Sequence, residues 1–362
     1  MIQPARFGYQ GPDELNPLPA RPPGRLTVVV LIERFDPAAE PGRMRSCYQI
    51  VAACHRLDDP SMPVNSLERV SGWWSHGFGG SPRQCWLAVE SPGTEVVGCY
   101  LLMLPDRENL ASAECALYIA PDARRAGRGR KLLAHCAGQA RQADRSRLST
   151  ETRDGSPGAA FAAAVGATSG ITEVLRVLTV DAALAARLPG LRAEAEQRAD
   201  GYTLVSWLGE TPPRYLADSA RLSAAMADAP RDEGVEPELW DADRIRRAER
   251  TQIESGQRIY CVAAMHEETG RLAAITQIGT DRGTPGWGFQ SLTAVLPDHR
   301  GRRLGLLVKV GMLDQLVADR PDVTRIVTGN AGANKHMIAI NEQLGFEVGS
   351  VHRSWEMRLA AG

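Results

Sequence analysis

Two short stretches of the chain place arginine and glycine where a phosphate could be held. Arg124-Arg125-Ala126-Gly127-Arg128-Gly129, continued by Arg130 and Lys131, follows the apolar run Leu117–Ala120 and Pro121. Arg300-Gly301-Arg302-Arg303-Leu304-Gly305 follows Thr293–Leu296 and Pro297. A glycine-bearing turn that opens a helix points successive amides outward, and the helix start adds positive potential. Gly127 and Gly129 are expected to let the backbone approach phosphate oxygens closely. Arg124, Arg125, Arg128 and Lys131 can add charge-assisted contacts. Just upstream, Glu114 stands among apolar neighbours (Ala113, Cys115, Ala116, Leu117), surroundings that raise a carboxylate's pKa toward the range of a general base. The alternative is a carboxylate facing solvent from a half-exposed strand. In the second stretch the matching position is Gln290, which cannot take a proton; with Thr293 it can orient a water or substrate by hydrogen bonding.

The elements that position these residues occur twice, in the same order. Each copy opens on a strand (Thr27–Glu33; Tyr202–Leu208) and an amphipathic helix that stops at Asp58-Asp59-Pro60 or Asp228-Ala229-Pro230. A more polar helical stretch follows, then two strands joined at Ser91-Pro92-Gly93 or Glu268-Thr269-Gly270. The strand–loop–helix unit comes next, then a short strand (Arg147–Thr150; Arg325–Thr328), a helix and a glycine turn at Gly166 or Gly345. Thr27 to Tyr202 spans 175 residues and Arg124 to Arg300 spans 176, so the whole order stays in step. The chain reads as a tandem duplication of an α+β unit. The expected division is an irregular, Pro- and Gly-rich arm over 1–24, a first domain over 25–200 that includes a connecting helix at 181–200, and a second over 201–362. The apolar faces of Lys131–Ala137 and Leu304–Leu313 read as core. Trp73-Trp74 with His76 reads either as core or as a wall of a substrate groove, and His299 as an exposed loop histidine without a role.

Composition narrows the class. The chain has 362 residues, more than one core usually supports, with 43% hydrophobic and 23% charged residues. A net charge of −1 gives no global field toward nucleic acid or an anionic membrane. The arginine loops lack the aromatic stacking partners of a nucleic-acid face. The seven cysteines form no CxxC pair, which argues against a disulfide framework or a zinc site and for a reducing, cytoplasmic setting. No metal is expected, and the expected state is a monomer or homodimer.

Arg124-Arg125-Ala126-Gly127-Arg128-Gly129 resembles the R-x-x-G-x-G signature of the GNAT superfamily of N-acetyltransferases, while the second loop departs from it with Arg303 at the first glycine. Asn334-Lys335-His336-Met337-Ile338-Ala339-Ile340-Asn341-Glu342-Gln343-Leu344-Gly345-Phe346 is similar to that superfamily's last helix and glycine turn. The likeness is greatest to tandem GNAT proteins of the actinobacterial type, a group that includes mycothiol synthase. The resemblance implies two tandem GNAT domains, each a mostly antiparallel mixed sheet flanked by helices. It implies acetyl-CoA as donor and direct transfer to a primary amine of a small molecule or the N-terminal amine of a peptide. Glu114 is then the general base. The coenzyme is expected along Tyr118, Ile119, Arg124, Arg125, Ala126, Gly127, Arg128, Gly129, Arg130 and Lys131. In the second copy it is expected along Ala294, Val295, Arg300, Gly301, Arg302, Arg303, Leu304, Gly305, Asn334 and Asn341. The superfamily's general-acid tyrosine falls on Ala162 and Asn341, of which only Asn341 can donate a hydrogen bond to sulfur. Catalysis is expected in the first copy; a non-catalytic acyl-CoA-binding protein is the alternative.

Overall fold

Apolar residues recur along the chain in short runs broken by turns, and twelve of these runs pair into one sheet. The computed structural model describes residues 29–77, 81–91, 94–228 and 230–360. The expected arm over 1–24, the start of the strand expected at Thr27 and the Pro92-Gly93 turn lie outside them.

In the first half β1 (Val29–Phe35) leads into α1 (Pro41–Asp58) and α2 (Leu67–His76). Pro41 suits a helix start, and the Ser66 hydroxyl accepts from Arg69 N to cap α2. β2 (Arg83–Ser91), β3 (Val96–Met103) and β4 (Ser112–Ile119) form an antiparallel meander. Then come α3 (Arg128–Gln142), β5 (Arg147–Arg153), α4 (Pro157–Ala164) and β6 (Thr168–Thr179). After α5 (Ala182–Glu196) the order repeats as β7 (Tyr202–Leu208), α6 (Leu216–Ala224), α7 (Ala242–Glu254), β8 (Gln257–His266), β9 (Arg271–Asp281) and β10 (Trp287–Val295). α8 (Leu304–Asp319), β11 (Arg325–Ala331), α9 (Lys335–Leu344) and β12 (Glu347–Arg358) complete it.

The sheet order is β1-β2-β3-β4-β5-β12-β6-β11-β10-β9-β8-β7. The two halves exchange their last strands: β12 pairs antiparallel with β5 of the first half, and β6 with β11 of the second. β6 and β12 also pair with each other, so neither half has an open edge at the centre. α5, expected as a connector, puts Leu184, Leu188 and Ala195 into the core that α8 forms in the second half. Two buried arginines bind the halves reciprocally. Arg69 of α2 lies 3.8 Å over the Phe289 ring and 3.6 Å from Asp281, and Arg244 of α7 donates to Glu108 at 2.6 Å.

β4 and β5 run parallel for only three pairs, Ser112↔Arg147 to Glu114↔Ser149, and β10 and β11 for four, Trp287↔Arg325 to Gln290↔Thr328. Beyond these pairs the strands part and leave a wedge in each half. All seven cysteines are buried and unpaired. Among the described residues no helix is long and apolar enough to cross a membrane.

Candidate active site

The two arginine–glycine loops share one backbone geometry. Each follows a short 3₁₀ turn, Pro121–Ala123 or Pro297–His299, and each has two left-handed residues. These are Arg125 (φ 67°) and Gly127 (φ 78°) in the first loop, Gly301 (φ 79°) and Arg303 (φ 57°) in the second. Glycine occupies one left-handed site per loop, at opposite positions. Arg303 is therefore no structural loss: it takes the conformation of Gly127, and Gly301 relieves the other site. Neither α3 nor α8 has a side-chain cap, so the first-turn amides stay available. A Cβ at Gly127 or Gly301 would meet nothing within 4 Å, so the space beside both loops is open.

The other glycines serve the fold. A Cβ at Gly129 would touch Phe161 at 3.4 Å, and one at Gly305 would reach Ile340 at 3.0 Å. Gly305 lets α9 pack closely on α8, while a side chain at Gly129 would point toward Phe161 of α4 and not toward the open side of the loop, which corrects the expectation of phosphate clearance there. Most of the expected cationic contacts are likewise committed elsewhere. Arg124 makes a two-pronged ion pair with Asp58 at the end of α1, at 2.7 and 2.9 Å, and Arg300 pairs with Asp228 in the same way of stopping the first helical segment. Arg128 is held by Glu90 and the Ala123 carbonyl, and Arg303 by Glu194 and Gln343. Arg130 reaches the Ala164 carbonyl at 3.2 Å. Arg125, Ala126 and Lys131, with Gly301 and Arg302 in the second half, are exposed, and the three basic side chains make no ion pair among the described residues. Ile119 and Val295 pack on the cores, Ala294 and Leu304 are buried in them, and burial raises the Tyr118 phenol's pKa. What these five residues offer a ligand is therefore backbone.

In the first wedge Glu114 ends the parallel pairing of β4. Its side chain is exposed, yet enough protein surrounds it that loss of water first, then the carboxylates of Glu238 and Glu151, raises its pKa. Glu151 and Arg153 follow Ser149 on the same face of β5, and His352 of the exchanged β12 stands opposite Arg153 and Glu173. The segment 230–240 crosses this face from the second half. Asp232 accepts from Ile171 N, Arg147 donates to the Gly234 carbonyl, and Glu236 exchanges hydrogen bonds with Asn109. Glu238 arrives beside Glu114 by this route. Sequence reading missed Glu151, Glu173, Glu238 and His352, because only the exchanged strands and the crossing segment gather them.

The second wedge is filled. β10 carries a bulge between Gln290 and Leu292 that β4 lacks. The bulge offsets the register by one, so Phe289, not Gln290, stands where Glu114 does. Gln290 turns toward α8 instead, a correction to the expected match. Its amide donates to Thr276 at 2.7 Å, and its oxygen accepts from Lys309 at 2.5 Å. Lys309 also donates to Asn341 at 2.8 Å, and Asn341 donates to Asn330 at 2.6 Å. Burial lowers the Lys309 pKa to about 7. Asn341 is fully buried and held by these bonds on both its oxygen and its nitrogen, and Asn334 caps α9 by accepting from Met337 N. On the other face the bulge residue Ser291 and Leu292 line a cavity of about 230 Å³, with Ser219, Met226, Trp240 and Ile275 among its walls.

Two remaining expectations resolve. Trp74 is core and Trp73 packs beside Arg69, while His76 faces Glu254 at 3.9 Å. His299 is not idle: it hydrogen-bonds the Tyr202 hydroxyl at 2.7 Å.

Residues 44–166 match the acetyltransferase (GNAT) family. A tandem GNAT protein from the clavulanic acid biosynthesis pathway superimposes on 92% of this chain and 100% of its own, with a TM-score of 0.75 and 25% identity. The first half thus contains a GNAT-matching domain, and the chain as a whole has the tandem GNAT fold. A GCN5-related N-acetyltransferase from Sphaerobacter thermophilus shares the fold at 16% identity, with a TM-score of 0.60, over 92% of this chain and 96% of that one. No curated protein matches. The tandem GNAT assignment makes acyl transfer the general activity and an acyl-CoA the general class of donor.

Proposed function

We propose that the protein is an acetyl-CoA-dependent N-acetyltransferase whose first half, within residues 25–200, transfers the acetyl group to a primary amine, while the second, 201–362, supports it. The observation that carries this reading is the contrast between the wedges. Glu114 is exposed where the β4–β5 pairing ends, and the Lys309–Gln290–Asn341 network fills the matching place in the second half.

The uncapped start of α3, the left-handed Arg125 and Gly127, and the exposed Arg125 and Lys131 fit a pyrophosphate. Bound there, acetyl-CoA would supply an activated acyl carbon and a thiolate leaving group. The chain's own task is the proton. An alkylammonium with a pKa of about 10.4 is neutral in roughly one molecule in a thousand near pH 7.4, a handicap of about 4 kcal/mol. Glu114, ionised, takes the ammonium proton: the N–H bond breaks, an O–H bond forms, and the nitrogen keeps its lone pair for attack. Its raised pKa makes it a stronger base than an ordinary carboxylate.

The cavity beside Ser291 favours a second, compatible reading: the second half holds a small molecule without transferring to it. Thiol release from acetyl-CoA with a panel of diamines, amino sugars and short peptides tests the main proposal. Release with at least one amine is expected. Acetyl-CoA binding without release across the panel would instead mark an acyl-CoA-binding protein.

A further inference from the structure

The exchanged strand brings a histidine of the second half into the first half's wedge. His352 Nδ1 lies 2.9 Å from Glu151 Oε1, and Nε2 lies 3.0 Å from Asp59 Oδ2. A carboxylate only accepts, so a ring bonded to two carboxylates carries a proton on both nitrogens. Burial opposes that charge, but the bonds to Glu151 and Asp59 prevail, and the His352 pKa is raised.

Every packed element contributes to its surroundings. Asp59, just past α1, is buried, accepts from Ser61 and Ser350, and faces Arg153 at 3.3 Å. His55 of α1 is kept toward its neutral form by burial, and the His352 charge adds to that. From β6 comes Glu173, whose pKa burial, and then Glu151, raise to about 7 while His352 lowers it. Glu151 thus stands between an imidazolium on one side and Glu173 on the other, and it is one of the two carboxylates that act on Glu114.

We propose that His352 is a positioning residue of the first half's transfer site: through Glu151 it sets the charge around Glu114, so that the first half's base is tuned by a strand from the second. The inference rests on Glu114 being the base. It gives the strand exchange a functional consequence. The negative charge of Glu151 makes Glu114 the stronger base, so the amine proton is taken more readily while that charge is kept. Removing the imidazolium would bias Glu173 toward its protonated form and shift the balance of charge around Glu114.

The test is carboxyl ¹³C NMR titration of the full chain, with Glu114 assigned by Glu114→Gln. In His352→Gln the Glu114 titration is expected to change measurably. His352→Arg, which keeps the charge, should restore it, and the acid limb of the pH–rate profile should follow the Glu114 titration. An unchanged Glu114 titration in His352→Gln would overturn the inference. Should that variant not fold, ¹⁵N titration of His352 in the wild type decides: an imidazolium persisting above the ordinary histidine value is expected, and a ring already neutral at pH 6.5 overturns it. If Glu114→Gln keeps full activity, the base assignment itself has failed, whatever His352 does.

Discussion

The two wedges begin alike and end differently. Each opens where a short parallel pairing stops, beside a loop with two left-handed residues and an uncapped helix. In the first half, carboxylates from four segments converge on the opening. In the second, one lysine, one glutamine and two asparagines close it with hydrogen bonds. The difference turns on one inserted residue. The bulge at Ser291 turns Gln290 to the helix face, where Lys309 meets it, and leaves Phe289 in the register of Glu114, covered by Arg69. A loop that keeps its shape therefore does not report whether the wedge beside it can work.

The largest effect that would sharpen this contrast is at the first loop. Gly127→Glu places a side chain and a negative charge at a left-handed position in open space. Calorimetry should show one fewer acetyl-CoA bound per chain; unchanged stoichiometry and affinity would place the coenzyme elsewhere.

Next comes the second wedge, through pH. Lys309 has a pKa of about 7 in the fold against about 10.5 unfolded, so between these values the unfolded chain binds more protons. Stability then rises with pH, at up to about 1.4 kcal/mol per unit. Denaturant unfolding of the wild type relative to Lys309→Met should show the wild type gaining on the variant from pH 7.5 to 9.5. Parallel curves would mean that Lys309 stays charged in the fold.

The equivalent loop arginines differ in burial. The Arg124–Asp58 side chains are 19% and 22% exposed, and the Arg300–Asp228 side chains 49% and 55%. Arg124→Ala is expected to cost about 2 kcal/mol of stability, and Arg300→Ala less than about 0.5 kcal/mol. Equal losses would show that the two loops are anchored alike.

The smallest contrast is between the packing glycines. Gly305→Ala forces its Cβ onto Ile340 and should destabilise by about 1 kcal/mol. Gly129→Ala, in ordinary contact with Phe161, should be neutral or stabilising by up to about 1 kcal/mol, because alanine favours the helix.

What was legible in the sequence was what is local. Loop residues, hairpin turns and the recurring Asp58 and Asp228 stops mark the repeated order, and Glu114 among apolar neighbours marks a carboxylate of unusual setting. The stops carried more than was read from them, since each supplies the partner of its loop arginine. The strand exchange left no local sign: β6 and β12 would read the same paired within their own half. His352 and Glu173 were hidden for that reason, and Glu238 because the path of segment 230–240 left no local sign either. The bulge was hidden because Ser291 resembles any other strand residue, and the 176-residue spacing after it conceals the offset before it. Lys309 did leave a sign, as the single charge inside the apolar run Leu304–Leu313.

The central claim is that the first wedge carries the transfer through Glu114. Thiol release by Glu114→Gln, with acetyl-CoA binding measured on the same preparation, tests it most directly. A fall in kcat of about 10²-fold or more with the coenzyme affinity unchanged is predicted. A rate equal to that of the wild type would contradict it.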